Sequence, residues 1–333
     1  MDKKYIVWGI LLIIIIGGIF FNRGASQSQS RQETVDLVVT DVGFNPIFYP
    51  IDNKKVLQPE DIQINIKTAD YTQAELYTLA SSDHPLVGVL STINIGIAHN
   101  RGEEFKVLVP YYREIVGPGE MSVGQLIIMR GSDIKTAQDL YEKKVGIQGE
   151  TDGSTIALKT VLKNKYNLDL SKINFAAYDS ELMPELLSRR AIDAAMVDSD
   201  YILASDFDQN FTTLVDFGKD LQELYGVVPP VKFFVVKSEL YEKDPQLYEK
   251  VVGFFRKNYE WSIDNIEEIT RLEAVSSGED YASLIKALDY QSRLDKLTRD
   301  DIKALEAIYQ TAKEIGVIEE IPDVDKLFEV REN

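Results

Sequence analysis

The chain has 333 residues, 44% of them hydrophobic and 27% charged, enough for two domains of ordinary size with sizeable cores. A formal net charge of -18 argues against a nucleic-acid partner, because phosphate contacts need clustered Lys and Arg. No Cys is present, which excludes disulfides, thiolate metal sites, Cys nucleophiles and a lipid-modified N-terminal Cys, and two histidines, His84 and His99, cannot build a His-rich metal site.

The N-terminus carries the clearest local pattern. Lys3 and Lys4 precede an apolar run from Tyr5 to Phe21, and charge returns at Arg23. That length lies where secretory signals and membrane-spanning helices overlap. The small residues Gly24, Ala25 and Ser26 leave cleavage open, in which case the protein is secreted. The basic flank keeps the N-terminus inside, so the folded part is expected outside the cytoplasm, anchored by this helix if it is retained. Residues 1–32 are therefore read as an anchor or signal segment followed by a Ser- and Gln-rich tether.

Strand and helix patterns then alternate. Strands are expected over Val35–Thr40, Asp61–Ile66, Leu86–Leu90, Phe105–Val109 and Leu126–Met129, with a helix over Tyr71–Ala80. A second series follows: strand 144–148, helix 154–166, strand Ile173–Ala177, helix Glu181–Arg190 and strand Ile192–Val197. One more strand is expected over 231–236, and from Pro245 onward the pattern is helical throughout. This alternation predicts an α/β chain built on mostly parallel sheets flanked by helices.

In such sheets ligands sit outside the carboxyl ends of the strands. That rule collects Phe44 and Asn45, Ser91 and Thr92, Asp152, Gly153, Ser154 and Thr155, Tyr178 and Asp179, and Asp198 and Ser199. Small polar residues at a helix start satisfy the free N–H groups of its first turn. The same N–H groups and the helix dipole make an anion site. Each exit can therefore be a plain helix cap or part of a cleft lined from both sides. From the second reading, Ser91, Thr92, Ser154 and Thr155 are expected to face one cleft.

The segments GSDIKTAQDLYEKKVGIQGETDGSTIALKTVLKN (131–164), LLSRRAIDAAMVDSDY (186–201) and ELYTLASSDHPLVGVLST (75–92) resemble the periplasmic solute-binding proteins of ABC importers. The group they resemble most is the nitrate, sulfonate, taurine and thiamine-precursor binders. VVKSELYEKDPQLYEKVVGFFRKNYEW (235–261) and LTRDDIKALEAIYQTAKEIGVIEEIPDVDKLF (297–328) continue the resemblance, which spans Val35 to Phe328. The chain departs from the family near Phe44–Lys55, where Pro46, Pro50, Asp52 and Asn53 fit poorly in the helix usual there.

The resemblance implies a two-lobed type II periplasmic-binding-protein fold with a helical C-terminal region. Lobe one would comprise residues 35–129 and 233–333, lobe two residues 130–232, with hinge strands near Met129–Ser132 and Pro230–Phe233. It also implies a small polar or anionic solute held at Asn45, Ser91, Thr92, Asp152, Gly153, Ser154, Thr155, Tyr178 and Asp198. The expected partners are that solute, an ABC permease with its ATPase subunits, and the membrane through the N-terminal helix. The protein is expected to be a monomer without cofactor or metal. Two other classes share the fold: an extracytoplasmic sensing module without transport, and a pyrimidine-precursor enzyme, whose Cys and His chemistry a Cys-free chain cannot reproduce. No Ser-His-Asp arrangement is visible in the sequence.

Overall fold

The computed structural model describes residues 33–40, 62–69, 72–111, 113–114, 124–198, 207–277, 280–282, 284–285, 291–292 and 297–328. The first elements in chain order are β1 (Glu33–Thr40), β2 (Ile62–Ala69), α1 (Thr72–Ser81), β3 (Leu86–Ser91), α2 (Thr92–Asn100) and β4 (Phe105–Pro110). Then come β5 (Gly124–Met129), β6 (Lys144–Ile147), α3 (Gly153–Asn164), β7 (Asn174–Ala177), α4 (Met183–Ser188), β8 (Ala194–Asp198), β9 (Phe211–Asp216) and α5 (Phe217–Tyr225). The chain continues through β10 (Lys232–Lys237), α6 (Ser238–Lys243), α7 (Pro245–Asp264), α8 (Ile266–Ser277) and α9 (Arg299–Glu314).

The strands form two five-stranded sheets, ordered β2-β1-β3-β10-β4 and β9-β5-β8-β6-β7. In the first, β1 pairs in parallel with β2 and β3, while β10 runs antiparallel between β3 and β4. In the second, β6 pairs in parallel with β7 and β8, while β5 runs antiparallel to β8 and β9. The α/β class is as the alternation predicts.

Both faces of the first sheet are covered over its inner strands, which is why β3 and β10 are nearly continuous apolar runs. Val35, Leu37 and Val39 of β1 pack with Phe234 and with Phe254 and Phe255 of α7. Phe234 stacks on Phe255 at 4.1 Å between ring centroids, and Tyr111 meets Phe234 edge-on at 5.2 Å. On the other face Val38 joins Leu79 of α1 and Ile93 and Ala98 of α2. That second cluster continues into the other sheet through Leu126, Ile128, Val145, Ile147, Ala194 and Met196. Helix α9 supplies Leu305, Ile308, Tyr309 and Ala312 to it and packs against α2, α3 and α5. One C-terminal helix thus closes the core across both sheets.

Three differences from the sequence reading stand out. Strand β9 and helix α5 were not expected, although Asp216 accepts the Lys219 N–H at 2.9 Å and Gly226, with φ 81°, ends the helix. Those are ordinary start and stop signals. The region after Pro245 is not helical throughout, because Gln291 and Ser292 pair with Glu114 and Arg113. Strand β5, placed by the sequence before the lobe boundary, hydrogen-bonds in the second sheet. The first passage between sheets therefore lies between Pro110 and Gly124, and the return lies between Tyr225 and Lys232, beside the expected Pro230–Phe233.

Candidate functional site

Helices α2 and α3 start where β3 and the loop after β6 end, one from each sheet. Their first turns meet at Val231, in the return passage. The Val231 carbonyl accepts the Thr92 N–H at 2.8 Å and the Thr92 hydroxyl at 3.3 Å. A Cβ on Gly153 would stand 3.1 Å from the same carbonyl oxygen, 3.2 Å from Val231 Cβ and 3.5 Å from Ser91 Cβ. Glycine at the first position of α3 thus lets the crossing chain approach closely, and any side chain there would press on Val231.

The expected site residues divide on this geometry. Ser91, Thr92, Asp152 and Gly153 come together around Val231, but their polar groups are largely spent within the protein. Ser91 Oγ accepts the Asn94 N–H at 3.1 Å, and Asp152 Oδ1 accepts the Thr155 N–H at 2.9 Å. Thr155 does not face a cleft: it is fully buried, with Oγ1 3.8 Å from Met196 Sδ in the second sheet. Consecutive helix residues are about 100° apart around the axis, so Ser154 and Thr155 cannot share a face. Ser154 is the half-buried one of the pair.

Tyr178 leaves β7 at the expected exit, its N–H bonded to the Ile147 carbonyl at 2.9 Å. Its ring, however, lies 5.4 Å from Lys144 Nζ, at the start of β6, and packs on the Ile127 and Met183 cluster. It folds back along the sheet rather than out over the exits. Asp198 ends β8 as expected. Asn45 and the N-terminal run Tyr5–Phe21 lie outside the described residues. Among the described residues no helix is long and apolar enough to cross a membrane, and no group of three or more His, Asp and Glu could hold a metal ion.

The sequence reading missed two residues here. In the sequence Val231 reads only as the start of a strand, and its role is carried by its backbone, which no side-chain pattern reveals. Asn94 is 3% exposed in the first turn of α2, and its Oδ1 has no hydrogen-bond partner. The signal was a lone amide within the apolar run TINIGIA.

Around α3 the electrostatics are arranged in pairs. Lys159 is buried under Glu150, Nζ to Oε2 2.5 Å, with the Phe175 ring 4.6 Å away. Lys165 binds Asp220 and Glu223 of α5. Burial works against its charge, but those two carboxylates more than offset this and hold its pKa above the usual lysine range. Burial and the Tyr166 Oη hydrogen bond to Asp220 at 2.8 Å push the Tyr166 hydroxyl up to about 12.

A Ser-His-Asp line, not visible in the sequence, does form at the amino end of β3. Ser82 Oγ is 3.2 Å from His84 Nδ1, and His84 Nε2 is 3.1 Å from Asp36 Oδ2. The Ser82 hydroxyl also lies 3.0 Å from the His84 carbonyl and accepts the His84 N–H at 3.4 Å, so it closes a local turn. Asp36 is shared with Lys67 Nζ at 2.6 Å and Asn65 Nδ2 at 3.3 Å. The cluster lies at the opposite end of β3 from Ser91, away from the meeting helices. Burial raises the Asp36 carboxyl, but the hydrogen bonds from Lys67, Asn65 and His84 outweigh it and hold the carboxyl below its usual range.

A carboxyl depressed in the folded state contributes stability above its unfolded value, and this is lost as pH falls through the folded value. Asp36→Asn is therefore expected to cost about 1–2 kcal/mol at neutral pH, the exposed Lys67 being discounted for screening. The difference should vanish under acid conditions, below the carboxylate range. Urea unfolding of both proteins across pH checks this, and a gap that persists in acid would rule it out.

A model of the family described as NMT1/THI5 like matches residues 57–269. No curated protein matches the sequence. Among solved structures, the chain is similar to the periplasmic aliphatic sulphonate binding protein SsuA of Escherichia coli. The TM-score is 0.71 at 15% identity, over 89% of this chain and 97% of that one. It is also similar to the alkanesulfonate-binding protein SsuA of Xanthomonas axonopodis pv. citri bound to MOPS, with TM-score 0.69 at 13% identity, over 90% and 98%. A third is the Candida albicans CA3427 gene product, described as having the generic periplasmic binding protein fold, with TM-score 0.63 at 12% identity, over 87% and 92%. These likenesses establish the fold.

Proposed function

The chain belongs to the NMT1/THI5-like family, and on that premise we propose that it is the extracytoplasmic solute-binding component of an ABC importer. It captures a small polar solute between its two sheets and hands it to a membrane permease with its ATPase subunits. In this reading it is a monomer and not an enzyme, and the run Tyr5–Phe21 holds it at the outer face of the membrane. Strands β1–β4 and β10 with the C-terminal helices act as one lobe, and β5–β9 as the other. Closure turns on the return passage 226–231, since few residues need absorb such a motion.

The observation that carries the proposal is the meeting of two helix starts, one from each sheet, at Val231. A solute at that point touches both lobes at once, so its binding energy can favour the closed form. Ser154, next to Gly153 in the first turn of α3, is half-buried, and its hydroxyl is a candidate contact in this reading.

The test is mass spectrometry of small molecules released when the purified full chain is unfolded, followed by calorimetric titration with each candidate. Alkanesulfonates, the ligand class named for two structural neighbours, belong in the first panel. A single released compound that rebinds with one-to-one stoichiometry is expected. A protein that releases nothing and binds nothing in the panel is not a solute carrier.

A further inference from the structure

Asn210, Phe211 and Thr212 match N-x-S/T with a middle residue other than Pro, the acceptor pattern for asparagine-linked sugars. No other asparagine in the chain is followed two positions later by Ser or Thr. A three-residue pattern often arises by chance, so its placement has to decide.

Asn210 ends the helical turn Phe207–Asn210, and β9 begins at the next residue. Phe211 is 3% exposed and packs in the cluster of Ile127 and Met183, whereas Asn210 and Thr212 are both exposed. The buried ring thus anchors the segment while the two residues that define the pattern stand outside. The Asn210 carbonyl accepts the Arg130 N–H at 2.8 Å, which fixes the corner to the end of β5.

Two features of the topology bear on this place. Strand β9 is an edge of the second sheet, and edge strands invite pairing with other chains unless something covers them. A bulky, solubilising group on Asn210 would stand beside that edge. Strands β9 and β8 both run antiparallel to β5, with Phe211 opposite Met129 and Asp198 opposite Gly124, and β6 runs parallel to β8. Asn210 is therefore at the amino end of β9, while β6 and β8 exit at the other end of the sheet. Six residues of strand, about 20 Å, separate the two ends. The attachment point is remote from the meeting of α2 and α3.

Resting on the extracytoplasmic location in the solute-binding reading, we infer that Asn210 carries an asparagine-linked oligosaccharide. The donor is a lipid-linked oligosaccharide pyrophosphate, used by a membrane-bound transferase that reads the Thr212 hydroxyl. Asn210 Nδ2 forms a bond to the anomeric carbon of the first sugar as the bond from that carbon to the pyrophosphate oxygen breaks. The lipid pyrophosphate leaves with the bonding electron pair, and one Nδ2 proton passes to solvent.

The test is peptide mapping by mass spectrometry of the full chain purified from the cells that make it. The peptide spanning residues 191–219 is expected to carry an added oligosaccharide mass located on Asn210. Asn210→Gln and Thr212→Ala, expressed in the same cells, should lose that mass completely. Thr212→Ser should keep it, because Ser also supplies the hydroxyl. If a variant does not fold, the map of the unaltered chain still decides. Added mass that survives in Thr212→Ala would overturn the inference, since the modification would then not follow the pattern. A membrane-impermeant amine reagent, applied to intact cells or spheroplasts, reports the location separately. A chain that is labelled from outside but unmodified at Asn210 would overturn the inference and leave the location standing. An unmodified chain that is not labelled would remove the location and the inference together.

Discussion

Tyr309→Ala is expected to cost about 3–5 kcal/mol of unfolding free energy, while Tyr309→Phe is expected to cost nothing or to stabilise by about 1 kcal/mol. Tyr309 is fully buried in α9, and its ring stands 3.0 Å from where a Cβ on Gly96 of α2 would lie. Removing the ring opens a cavity in the cluster shared by both sheets, and relaxation there is limited because α9 also packs on α3 and α5. The hydroxyl is different. It has no hydrogen-bond partner, and burial pushes its pKa far above the usual tyrosine range, so it remains neutral. Deleting an unpaired buried hydroxyl removes a desolvation cost without removing an interaction. Urea midpoints of the three proteins, measured with unchanged slopes, separate the effects. A Tyr309→Phe protein as unstable as Tyr309→Ala would mean that the hydroxyl has a strong partner after all.

The second large effect is expected at Gly153. Gly153→Val should weaken solute binding tenfold or more while costing about 1–3 kcal/mol of stability. Any Cβ there meets the Val231 carbonyl at 3.1 Å, and that carbonyl is held by two hydrogen bonds from Thr92. The branched side chain must push α3 away from the return passage, which opens the place where the lobes meet. The solute released from the native protein, titrated into the variant beside a urea melt, provides both numbers. A variant that binds as the wild type does would show that the contact between α3 and Val231 plays no part in closure.

Local elements were legible because their causes are local. Alternation and apolar runs predict β1, β3, β6 and β8, and the Asp152 cap predicts where α3 begins, within a residue or two of the observed bounds. Strand β9 escaped because FTTLVD has mixed polarity and sits next to a segment without clear periodicity. The strand exits were found by a rule about sheets, so the rule placed Ser91 and Gly153 near one another without showing which way any side chain turns.

What the sequence by itself determined is therefore the α/β class, the order of the elements apart from β9, α5 and the Gln291–Ser292 pairing, the start of α3 and the likeness to solute-binding proteins, all of which follow from patterns over short spans. The tertiary structure alone decided that β5 pairs in the second sheet, that Thr155 faces Met196 and Tyr178 lies back toward Lys144, and that Ser82, His84 and Asp36 line up. It alone decided, too, that the helix starts close on a backbone carbonyl at Val231. Apart from the Ser82–His84 turn, these are contacts between residues dozens of positions apart, set by register and by packing across sheets, and a local pattern carries no record of which distant group arrives to fill a hydrogen bond.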